Sequence, residues 1–74
     1  VFYTEDVIHY TVLKKLNQLQ VKIYNVNGSH VETFDDAVID EGSHEIKLNN
    51  LNRGNYIAVF YSGQDVAEIL KFNH

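Results

Sequence analysis

The chain has no cysteine, no proline, no methionine and no tryptophan in 74 residues. Without cysteine there is neither a disulfide framework nor a thiolate zinc site, so redox usage names no compartment and a thiol nucleophile is excluded. Cations are also scarce: six Lys and Arg stand against ten Asp and Glu, for a formal net charge of -4, and the six are scattered. Binding to a phosphate backbone depends on clustered cations, so a nucleic-acid partner is not expected. No apolar run approaches the ~20 residues of a membrane span, and no signal-peptide pattern precedes the fold, so membrane insertion is not expected either. A start at Val1 reads as a processed product or an excised domain.

What is present suits a small core. Hydrophobic residues make up 45% of the chain, with five Tyr and four Phe among them, which argues against disorder. Residues 1–74 are expected to form one small domain, of a size that buries only about 60–65% of its unfolded surface.

Strand patterns dominate, at the short regular spacing of an all-β sandwich or barrel. Six strands are expected. In residues 7–13, Ile8, Tyr10 and Val12 face inward. Residues 19–25 alternate most cleanly, with Leu19, Val21 and Ile23 on one face and Gln20, Lys22 and Tyr24 on the other. Asn27-Gly28 is a hairpin signal, because both residues tolerate positive φ, and it pairs this strand antiparallel with residues 29–34. Ala37-Val38-Ile39 reads equally as a strand extension or an ordered loop. Residues 45–48 alternate again. Residues 55–62 are apolar on both faces, the mark of a central strand, and residues 65–72 form the last strand.

Leu48-Asn49-Asn50-Leu51-Asn52-Arg53-Gly54-Asn55-Tyr56 reads as a corner between strands. The two leucines bury in a short helical turn, Gly54 reverses the chain through a positive φ, and Tyr56 opens the next strand. The arrangement resembles the tyrosine corner of immunoglobulin-like sandwiches, whose phenol bonds backbone a few residues upstream, here near Asn52. The expected core is Leu19, Val21, Ile23, Ile46, Leu48, Leu51, Tyr56, Ala58 and Phe60.

Reaction chemistry is thin. His30 and His44 could meet across neighbouring strands, but the spacing of the four histidines matches no ligand motif, and His74 reads as terminal and solvated. Asp35, Asp36, Asp40 and Glu41 offer the hard oxygens that calcium prefers, yet acidic runs are usually solvated loops. Ser29, Ser43 and Ser62 have no elbow motif. No catalytic, metal or cofactor site is therefore assigned, and the protein is not expected to be an enzyme. Tyr24, Tyr61 and Phe34 are candidates for an exposed docking face, with packing at the sheet ends as the simpler reading.

From residue 19 to residue 71 the order of features resembles the C-terminal sorting domain of the type IX secretion system of Bacteroidetes. The pieces are Val21-Lys22-Ile23-Tyr24-Asn25-Val26-Asn27-Gly28 followed by Val31, then Glu45-Ile46-Lys47-Leu48 with Leu51, Gly54 and Tyr56, and finally Gly63 and Ile69-Leu70-Lys71. The resemblance implies an Ig-like or fibronectin-like antiparallel sandwich of six or seven strands that serves as an export address, with the outer-membrane secretion machinery as partner and a secreted or cell-surface location reached through the periplasm. Its start departs from the family's Pro-Asn-Pro pattern, and its tail is less basic. Ile69, Leu70, Lys71 and Phe72 are the expected recognition residues, because an end strand is open to edge addition, and the tail beyond Leu70 is expected to be dispensable for folding. The alternative is an extracellular interaction module of a secreted Bacteroidetes protein, binding protein or glycan.

Overall fold

Seven strands form among the described residues of the chain. In the computed structural model, which describes residues 1–15, 18–36, 39–49 and 51–74 and the backbone but not the side chain of Asp36, they are β1 (Phe2–Thr4), β2 (Val7–Val12), β3 (Leu19–Asn25), β4 (His30–Asp36), β5 (Gly42–Lys47), β6 (Asn55–Ser62) and β7 (Asp65–Asn73). They form two antiparallel sheets, ordered β1-β2-β5 and β4-β3-β6-β7, with no helix among the described residues. The fold is the all-β sandwich the sequence indicates, with β6 central in its sheet.

Period-2 patterning explains the layers. Ile8, Tyr10 and Val12 from β2 meet Leu19, Val21 and Ile23 from β3 and Ala58 and Phe60 from β6 in one buried cluster, with Ile8 and Ile23 fully inaccessible. Tyr10 meets Phe60 edge to face across the sheets, ring centroids 5.4 Å apart, and Tyr3 stacks on Phe72 at 5.0 Å. Leu51 and Tyr56, expected in the core, pack against it only half-buried. Ile39 is buried and makes an isolated bridge, so the apolar run it ends belongs to a loop at that residue; Ala37 and Val38 lie outside the described residues. Leu16 and Asn17, in the expected turn before β3, lie outside them too.

Two turns differ from their sequence signals. Asn27 does not take positive φ; Gly28 alone does, at 81°. The Gly28 N–H donates to the Asn25 carbonyl at 3.0 Å and the Asn25 N–H to the Ser29 carbonyl at 3.0 Å, which closes a three-residue loop ending in a glycine bulge. The Asn25 side chain competes successfully for this register by accepting from the Asn27 and Ser29 N–H groups at 3.0 and 3.1 Å. The double positive φ occurs instead at Glu5 (49°) and Asp6 (69°), which join β1 to β2 in a two-residue hairpin between Thr4 and Val7. β1 escapes the sequence reading because three residues show no period. Tertiary bonds hold its unusual turn: the Asp6 carbonyl accepts from the Leu48 N–H at 2.9 Å and its carboxylate from Arg53 at 2.6 Å.

Candidate functional site

β7 is an edge strand, paired among the described residues with β6 alone. At its end the His74 N–H donates to the Gly54 carbonyl at 2.7 Å and the Gly54 N–H to the His74 carbonyl at 3.3 Å. Antiparallel pairs alternate between mutually bonded and unbonded positions. Counting back from this bonded pair, Phe72 and Leu70 bond Tyr56 and Ala58, while the backbone groups of Asn73, Lys71 and Ile69 turn to the free edge. Side chains alternate as well. Ile69 (57% exposed) and Lys71 lie on the outer face, Leu70 is half-buried and Phe72, at 7%, is in the core. Of the four residues singled out for recognition, the structure presents two and uses the other two for packing.

His74 is buried, not solvated. Its ring is edge-on to Tyr3 and Tyr56, at 5.8 and 6.4 Å between centroids, and its Nε2 lies 3.0 Å from the Leu51 carbonyl oxygen. That oxygen only accepts, so Nε2 carries a proton. Nδ1 lies 2.8 Å from the Tyr3 hydroxyl oxygen. Tyr3 Oη is also 3.2 Å from Asp6 Oδ1, and Arg53 spans out to the same carboxylate. One imidazole therefore ties the end of β7 to the corner loop and to the β1–β2 hairpin. Sequence reasoning missed it because Tyr3 and His74 are 71 positions apart and neither carries a motif.

The corner is built against the same ring. Leu48 is buried, Leu51 half-buried, and the half-buried Tyr56 donates its hydroxyl to the Asn52 carbonyl at 2.7 Å. Asn50 lies outside the described residues. Gly54 takes the expected positive φ, at 158°. It serves close pairing with His74; the nearest atoms to a Cβ there belong to Tyr56, at an ordinary 3.7 Å, so the cost of a side chain lies in the φ rather than in space. Tyr56→Phe is expected to lower stability by about 1 kcal/mol, since it leaves the Asn52 carbonyl without this donor; urea unfolding measures the difference.

Acid should loosen the same region. The Arg53 guanidinium bonded to Asp6, more than any other neighbour, holds the carboxyl below the usual carboxylate range, with smaller help from Tyr3 and His74. A folded-state pKa below the unfolded one adds stability that is present above the unfolded value and lost as pH falls through the folded one. The melting temperature is therefore expected to drop on acidification below about pH 4, and Asp6→Asn to flatten part of that slope.

The remaining candidates do not converge. His30 bonds Thr33 on β4, and His44 stacks on Tyr10 in the other sheet, its Nε2 2.8 Å from the Asp40 carbonyl oxygen. Asp35 accepts from the Gln20 amide at 2.8 Å, and the Asp36 side chain lies outside the description. No cluster of three His, Asp or Glu able to hold a metal occurs among the described residues. Tyr24 and Tyr61 share the outer face of the four-stranded sheet, whereas Phe34 packs against the core.

An edge strand locked in place at its end, without a reactive constellation beside it, accords with the comparison against protein families. The family model of the secretion system C-terminal sorting domain matches residues 4–72. The chain belongs to this family. No curated protein and no solved structure matches it. A type IX secretion sorting domain is a non-enzymatic address, so membership implies contact with the secretion machinery and a parent protein that is secreted or held at the cell surface. The match begins inside β1 and ends at Phe72, so the sorting domain takes in all seven strands in whole or part.

Proposed function

We propose that this sorting domain directs its parent protein from the periplasm across the outer membrane, and that the machinery reads it by adding a strand to β7. The observation that carries this reading is the free edge from Ile69 to Asn73, where Ile69 and Lys71 offer both unpaired backbone groups at the edge and side chains on the outer face. An open edge is normally a hazard that proteins blunt with charge, and Lys71 and Glu68 do so against indiscriminate pairing. Phe72 and His74 fix the strand beneath it, so no ordering has to accompany binding.

Proline at position 69 separates folding from reading. The Ile69 N–H faces the free edge and makes no bond to β6, so Ile69→Pro should leave the ladder intact while blocking an added strand. The domain is fused behind a signal peptide and reporter in a Bacteroidetes host with type IX machinery. The folded variant is expected to strand the reporter in the periplasm, while Ile69→Val still sends it to the surface. Surface delivery by a folded Ile69→Pro domain would rule out strand addition at this edge.

A further inference from the structure

The outer face beside that edge is asymmetric in a way the ladder does not require. Across the sheet, Ile69 stands opposite Val59, which stands opposite Lys22; Lys71 stands opposite Ile57, which stands opposite Tyr24; and Val66 stands opposite Tyr61. Val66 and Ile69 are 54% and 57% exposed, and with Ile57, Val59, Tyr61 and Tyr24 they make one continuous apolar surface. Lys22 and Lys71 flank it on opposite sides. Lys22 Nζ lies 5.6 Å from the Tyr61 ring centroid, so the cation on the β3 side sits against an aromatic ring of the patch itself.

Carboxylates avoid this half of the face. Glu68 and Asp65 on β7 stand opposite Phe60 and Ser62 and so alternate to the other side, and Asp35, the carboxylate that shares the outer face, sits out on β4 with the Gln20 amide donated to it. In a chain of net charge -4, a patch with two lysines and no acid is the reverse of the average surface.

We infer that this patch is a second contact for the protein that reads β7, and that the partner covers it with apolar side chains flanked by carboxylates. The inference rests on the strand-addition reading and extends it from backbone to side chains. Charge complementarity selects the partner: steering and register across an interface come from opposite charges, and like charges set against each other cost several kcal/mol. A second copy is disfavoured on the same ground. A two-fold contact through this patch would bring Lys22 and Lys71 against the same pair.

The test compares two double reversals with the same change in net charge, Lys22→Glu with Lys71→Glu, and Lys14→Glu with Lys47→Glu. Lys14 and Lys47 are exposed and lie away from this patch, in the loop after β2 and on β5. Both variants are checked for folding by thermal melting and then assayed for surface delivery of the fused reporter. The patch reversal is expected to reduce delivery at least about tenfold and the control reversal to leave it near the parent value. Equal delivery by both would overturn the inference, as would equal loss. Concentration-dependent dimerisation of the isolated domain that the patch reversal abolishes would overturn it in favour of a second copy. Normal delivery by the patch reversal alongside failure of Ile69→Pro would sink this inference and leave strand addition standing; no delivery by the unmodified domain would remove both.

Discussion

Phe72→Ala is expected to remove about 3–5 kcal/mol of stability, the largest loss from any substitution in the end strand. The ring is 7% exposed, stacks on Tyr3 at 5.0 Å and Tyr56 at 5.8 Å, and is the last core side chain that β7 contributes. A domain of this length holds roughly 4–11 kcal/mol in all, so the variant should be substantially unfolded at physiological temperature. Urea unfolding followed by circular dichroism measures it, and a loss under about 1 kcal/mol would mean that Phe72 is not packed as described. The same contacts correct the expectation that the tail beyond Leu70 is dispensable: ending the chain there removes both Phe72 and His74, so such a truncation reports on folding before it reports on export.

His74→Ala is expected to cost about 2 kcal/mol. The substitution deletes the donor to the Leu51 carbonyl, the partner of the Tyr3 hydroxyl at 2.8 Å, and the ring that fills the space between Tyr3 and Tyr56. Backbone pairing with Gly54 survives, so the strand should remain attached but fray. Hydrogen exchange makes the distinction: faster exchange confined to the end of β7, the corner and the β1–β2 hairpin is expected. Uniform acceleration across both sheets would show that the ring is not a local tie.

The identity of β2 to β7, the central position of β6 and most of the core were legible because alternation survives in the residues themselves, whereas the three residues of β1 show none. Val21 and Ile23 cannot be placed on the core side without sending Lys22 and Tyr24 to the other. Turn geometry was legible in place but not in kind. Asn27-Gly28 marks a reversal under any turn type, and the Asn25 side chain decided which one formed. Glu5-Asp6 shows no glycine signature because its positive φ values are enforced from a distance, by Leu48 and Arg53. The candidate site divides in the same way. Its location on the last strand follows from order along the chain, whereas the burial of His74 depends on contacts 71, 23 and 20 positions away. Only the folded chain brings those together, and a histidine beside a terminus reads as solvated until it does.

The central claim is that these seven strands suffice as an address. Residues 1–74 are fused behind a signal peptide and a reporter that otherwise stays periplasmic, and the reporter is located by protease accessibility on intact cells, in a Bacteroidetes host with and without a working type IX system. Surface reporter only in the host with the system is the predicted result. A correctly folded fusion that stays protected in the periplasm of both hosts would contradict it.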